Sequence, residues 1–158
     1  MSRNASDQPF VERRPSPQNR FRLRGVHYFQ RGWPYTFWDA LRVSELDRDF
    51  AEIRGYGFNT IVLFQSWGKF QNRMSPATYD DAAFRKLDAV ISAAKRHGLW
   101  VVLRVGTPEF HPSDMPNARP YNIPDLMFED SQIEALAALF RETSRRIGHH
   151  KNVYGLFN

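Results

Sequence analysis

His27 and Tyr28, Gln65 and Trp67, Arg104, Glu109 and His111, and finally Asn158 share one kind of place: at or just past the C-terminal end of a β-prone segment. Imidazole, amide, guanidinium and carboxylate groups supply donors and acceptors, while indole and phenol rings supply flat apolar faces. Gathered on one rim, such groups suit a saccharide, whose hydroxyls need hydrogen bonds and whose C–H faces stack on aromatic rings. Trp33 and Trp38, in the loop "RGWPYTFWDALRV", add rings that either stack on a ligand or pack that loop onto the following helix. Nucleotide and nucleophile motifs are missing: neither G-x-G-x-x-G nor G-x-x-x-x-G-K-[ST] occurs, nor G-x-S-x-G nor H-E-x-x-H. The five histidines are scattered, and His149 and His150 adjoin a helix end, where the helix dipole is the simpler account of them. No metal or organic cofactor is expected.

The elements that would hold this rim follow from periodicity. "RLRGVHYFQ" predicts a first strand over about residues 23–29. A helix opens at Ser44, with Asp47 at capping-box spacing and Leu46, Phe50 and Ile53 on one face. "FNTIVLFQSW" is apolar without alternation, the mark of a strand covered on both faces in a parallel sheet. A helix from Asp80 buries Phe84, Leu87, Ile91 and Ala94 and stops at His97 and Gly98; "LWVVLRVG" is again a strand. A third helix from Ser131 to Ile147, with Ser131 and Glu134 at capping-box spacing, turns Ile133, Leu136, Phe140 and Ile147 inward, and "NVYGLF" is a fourth strand. The β-α-β-α-β-α-β order means parallel strands, in either an open doubly wound sheet or part of a barrel. Helix-to-strand joints are short and strand-to-helix joints long, so any site belongs at the C-terminal ends of the strands. The longest joint carries Pro108, Pro112, Pro116, Pro120 and Pro124, a spacing that forbids an ordinary helix.

With 158 residues the chain holds one domain with a real core but falls short of most (β/α)8 barrels. The net charge of +5 is concentrated at the start: residues 1–24 hold six Arg against Asp7 and Glu12, which leaves the remainder nearly neutral and argues against nucleic acid as a partner. Residues 1–22 are expected to be a disordered basic leader and 23–158 the folded domain. Without cysteine there are no disulfides or thiolate metal sites. No apolar run approaches a membrane span and no signal peptide is visible, so a cytoplasmic location without membrane association is expected, secretion remaining open if the true start differs.

"RGVHYFQRGWPYTFWD", "GFNTIVLFQSW", "VVLRVGTPEF" and "NVYGLFN" together resemble the first half of the retaining glycoside hydrolase clan of (β/α)8 barrels, which includes cellulases, mannanases and β-galactosidases. The resemblance implies a partial TIM barrel: strands one to four with three intervening helices, acting on an oligo- or polysaccharide. In that clan strand four ends in an Asn-Glu pair, the Asn binding the sugar 2-hydroxyl and the Glu serving as general acid/base. Asn158 takes the Asn position, so the acid/base is expected immediately after it and the nucleophile on a later strand. By the same resemblance the substrate-binding residues are Asn158, Trp67, Arg104, His27, Tyr28, Trp33 and Glu109, and no catalytic residue lies within residues 1–158. Glu109 stands on the wrong strand unit to replace either clan glutamate. The chain is therefore expected to be a fragment, inactive alone, whose uncovered strands self-associate. The alternatives are a non-catalytic carbohydrate-binding or assembly module using the same rim, and a fragment of an unrelated TIM-barrel enzyme.

Overall fold

The computed structural model describes residues 22–31, 36–73, 75–107 and 129–158. Its centre is a parallel four-stranded sheet of β1 (Gly25–His27), β2 (Thr60–Ser66), β5 (Trp100–Thr107) and β6 (Val153–Phe157), in that spatial order. Neighbours in space are neighbours along the α/β succession, with β2 beside β1, β5 beside β2 and β6 beside β5. A barrel wall has this order, whereas a doubly wound sheet reverses direction partway.

Three helices cover one face of the sheet. α2 (Leu46–Gly55) follows the short helical turn α1 (Phe37–Ala40) and a 3-10 turn at Val43–Glu45; α4 (Asp81–Arg96) precedes β5 and α5 (Asp130–Ile147) precedes β6. Between β2 and α4 lie the short helix α3 (Trp67–Phe70) and an antiparallel pair, β3 (Gln71–Arg73) with β4 (Thr78–Tyr79), which the sequence reading did not anticipate. The core sits between helices and sheet: Ile61, Leu63, Val101, Leu103 and Val105 meet Leu46, Phe50, Leu87, Ile91, Leu139 and Ile147, all essentially without solvent contact.

Asp80 caps α4 as its position suggests, accepting from the backbone N–H groups of Ala82 and Ala83 at 2.8 and 2.9 Å. The two capping boxes do not form. Ser44 lies inside the 3-10 turn, so α2 begins at Leu46 without a side-chain cap. Asp47 instead meets Arg96 and His97 at the end of α4, and the His97 hydrogen bond, with Arg96 behind it, holds its carboxyl below the usual carboxylate range. α5 starts one residue earlier than Ser131, again without a side-chain cap, and its buried stripe runs through Gln132, Ala135, Leu139, Thr143 and Ile147. Ile133, expected inward, lies about 100° round the helix from that stripe and is exposed, while Leu136 and Phe140 flank the core. β1 is shorter than expected, although the Tyr28 N–H still reaches the Val62 carbonyl at 3.1 Å.

Candidate functional site

Among the described residues, no helix covers the second face of the sheet. Strand alternation sends His27, Val62, Phe64, Val102, Arg104 and Phe157 to it, and the register sets Phe64 beside Arg104 and Arg104 beside Phe157. The rings form a continuous line: His27 stands edge-on to Phe64 with centroids 5.0 Å apart, Phe29 lies 5.4 Å from Phe64, and the Arg104 guanidinium carbon sits 5.7 Å from the Phe64 centroid. Phe157 is 42% exposed at the end of the line. The buried Nε of Arg104 has no hydrogen-bond partner among the described residues, a polar group held ready on an otherwise apolar strip.

Asn158 follows β6 at the C-terminal end of the sheet, and its Nδ2 donates to the Val105 carbonyl at 2.9 Å. Beside it Gly106 has φ +70, and an added Cβ there would lie 2.2 Å from Leu136 Cδ1. Gly106 therefore lets α5 close over the end of β5. Phe64, Phe157 and Gly106 escaped the sequence reading; a glycine ending a strand of large residues was the available signal.

The remaining sequence candidates divide. His27 and Arg104 share the open face through Phe64. Tyr28, one residue on from His27, points the opposite way: it is buried, its ring edge-on to Phe37 and Phe50, and its hydroxyl donates to Asp49 Oδ2 at 2.8 Å. Burial, reinforced by Asp49, raises the phenol far above its ordinary range, so Tyr28 is a neutral core strut rather than a rim residue. Trp67 also departs from expectation as a stacking platform. The chain turns into α3 straight after β2, the indole is wholly buried, and its Nε1 donates to Gln71 Oε1 at 2.6 Å. Gln65 likewise faces the helices, exchanging hydrogen bonds with the Thr143 hydroxyl on α5 at 3.0 and 3.2 Å. Trp38 packs inward, its Nε1 donating to the Phe64 carbonyl at 2.8 Å. Trp33, Glu109 and His111 lie outside the described residues.

None of the described Asp or Glu residues stands on a strand. From the described residues the open face thus draws a cation, an imidazole, aromatic rings and an amide, and none of its strands supplies a carboxyl group.

Comparison with known proteins agrees with this architecture. Among solved structures, the exo-β-1,4-mannosidase of Opitutaceae bacterium strain TAV5 superposes with a TM-score of 0.68 at 21% identity over 84% of this chain and 23% of its own. A GH5_18 structure from Bifidobacterium longum subsp. longum gives 0.68 at 16% identity over 85% and 32%. The fold is a partial (β/α)8 barrel. A Streptomyces cattleya GH5_18 variant, crystallised with Manβ1-4GlcNAc, matches with a TM-score of 0.62 at 18% identity, over 75% of this chain and 29% of its own. By sequence, mannan endo-1,4-β-mannosidases 5 and 2 of Solanum lycopersicum are each 30% identical over 115 residues, 63% of this chain. The partial barrel spans about a quarter of the length of these curated relatives (25%). No family model matches. The resemblance to glycoside hydrolases drawn from the strand motifs is thus matched by the two mannosidases found through sequence, and the partial-barrel fold by the solved structures.

Proposed function

We propose that this chain builds the N-terminal half of the barrel of a retaining β-glycoside hydrolase, acting on a saccharide with β-linked mannose. The observation that carries the proposal is the row His27–Phe64–Arg104–Phe157, leading to Asn158, on the face that none of the described helices covers, at the C-terminal end of a sheet in barrel order. The β-mannosidase activity of the relatives supports the choice of sugar.

Retaining hydrolysis needs two carboxyl groups about 5 Å apart, one protonating the leaving oxygen while the other attacks the anomeric carbon. In this proposal both come from outside residues 1–158, and the chain supplies the surroundings. Asn158 holds the sugar 2-hydroxyl, a contact that tightens as positive charge develops on the ring. Arg104 directs its unpartnered Nε–H to a catalytic carboxylate or a substrate oxygen, and its charge favours the ionised carboxylate. His27 contributes a further donor or acceptor on the adjacent strand.

The test is a chimera in which residues 1–158 replace the corresponding first half of the Opitutaceae exo-β-1,4-mannosidase. Hydrolysis of an aryl β-mannoside by the chimera, with none by residues 1–158 alone, is the expected result. A folded chimera inactive on β-mannosides, β-glucosides and β-galactosides would remove the proposal.

A further inference from the structure

At the opposite end of the sheet, eight residues back from Asn158, two imidazoles converge on one carboxylate. His150 Nε2 lies 2.7 Å and His149 Nε2 3.5 Å from the same atom, Asp88 Oδ1, and the two rings face each other at 4.0 Å with planes tilted by 35°. The ligand atoms of all three residues lie within 4.8 Å of one another. Both rings thus engage Asp88 on α4.

The framework around them is fixed. His150 is in the turn between α5 and β6, its N–H donating to the Ile147 carbonyl at 3.0 Å, and its side chain is only 7% exposed. Two residues on, the buried Asn152 donates to the carbonyls of Ile91 and Leu99 at 3.0 and 3.2 Å, which bolts the turn to α4 and to the start of β5. Asp88 sits one turn before Ile91 on the same helix. Two elements distant in sequence are therefore held in register, and the three ligands arrive from both.

From this juxtaposition we infer that Asp88, His149 and His150 form a binding site for a divalent transition ion of the zinc class, separate from the saccharide face. Two imidazole nitrogens and one carboxylate oxygen are the donor set such borderline ions take, with the fourth position left to water. An ion about 2.1 Å from each ligand sets the ligand atoms about 3.4 Å apart, close to the 3.5 Å His149–Asp88 separation. His149 and Asp88 have half or more of their side-chain surface exposed and can rotate the remaining distance, while His150 stays as the anchor. Calcium and magnesium, which prefer all-oxygen shells, fit poorly.

The test is calorimetric titration of the full chain with ZnCl2, with thermal melts alongside. One saturable site is expected, with Tm raised by about 5 °C or more at a hundredfold excess over Kd, and no such shift from CaCl2 or MgCl2. His149→Ala, a change at an exposed side chain, should leave the zinc-free Tm unchanged and weaken zinc binding by about tenfold to a hundredfold or more, since even partners one step removed from a metal are worth that much. Asp88→Asn should weaken it similarly without removing volume. His97→Ala, which alters the His97–Asp47 pair instead, should not. No saturable binding to the wild-type chain, or binding unaffected by both His149→Ala and Asp88→Asn, overturns the inference.

Discussion

The two faces of the one sheet obey different rules. On the helix-covered face Ile61, Leu63, Val101, Leu103 and Val105 are fully buried, and even the polar Gln65 is enclosed, matched atom for atom by Thr143. On the other face His27 and Phe157 are exposed, and Arg104 keeps a buried N–H unpartnered among the described residues. The first face is closed: its apolar side chains are buried, and Gln65 and Thr143 meet each other's hydrogen bonds. The second gathers aromatic and cationic groups that none of the described helices encloses. Stability should therefore be concentrated on one face and function on the other.

Mutations can break that contrast. Leu63→Ala, on the closed face, should cost about 2–5 kcal/mol in a denaturant melt, whereas its neighbour Phe64→Ala should cost about 1 kcal/mol, because it gives up ring contacts but opens no sealed cavity. Equal losses would mean that the two faces are equally closed. Gln65→Leu alone should cost about 1–3 kcal/mol by leaving the Thr143 hydroxyl buried and unpaired, and adding Thr143→Val should recover most of the loss; the double-mutant cycle reads the coupling directly.

A pH series sharpens the same contrast on the helices. Glu142 accepts from Arg145 and Arg146, and those bonds, Arg145's foremost, hold its carboxyl down to about 2. Arg146 also reaches Asp81 on α4 at 2.7 Å and stacks over Phe84, so the cluster joins α5 to α4. Because the folded value lies below the unfolded one of about 4.3, this contribution is complete above about pH 4.3 and disappears as pH falls toward 2. Glu142→Gln should flatten the fall in stability over that window and leave the open face untouched. An unchanged acid limb would show that the cluster does not couple to folding.

The smallest free-energy effect is expected in association. The edges β1 and β6 are unpaired within the four-stranded sheet, and Tyr154 and Phe157 are exposed near one of them. Light scattering should find dimers or larger species, shifted toward monomer by Phe157→Lys. A sharp wild-type monomer peak would argue that the open face needs no cover.

How much of this was legible in the sequence depends on the kind of signal. Runs such as "TIVLFQS" and "WVVLRVGT" announce strands covered on both faces, and the order of elements points to parallel pairing, because periodicity and burial are local properties. Side-chain direction at strand ends is not local. His27 and Tyr28 look equivalent in sequence, yet alternation separates them, and Trp67 looks like a rim residue until the α3 turn folds it inward. Capping boxes failed for a similar reason: Asp47 found Arg96 and His97, 49 and 50 residues away, a competition that no window around Ser44 reveals. Of the sequence candidates, His27, Arg104 and Asn158 are those whose strand register puts them on the open face or at its end.

The central claim is that this open face is the sugar-facing half of a glycosidase barrel, and Asn158 tests it most directly. In the mannosidase chimera, Asn158→Ala should lower kcat by about 100-fold with KM changed far less, since the lost contact strengthens in the transition state. Circular dichroism and Tm close to the parent chimera must accompany that loss, because Asn158 also binds the Val105 carbonyl. An Asn158→Ala chimera that folds normally and keeps its kcat would contradict the account, and with it the alignment of "YGLFN" with the fourth strand of the glycoside hydrolase barrel.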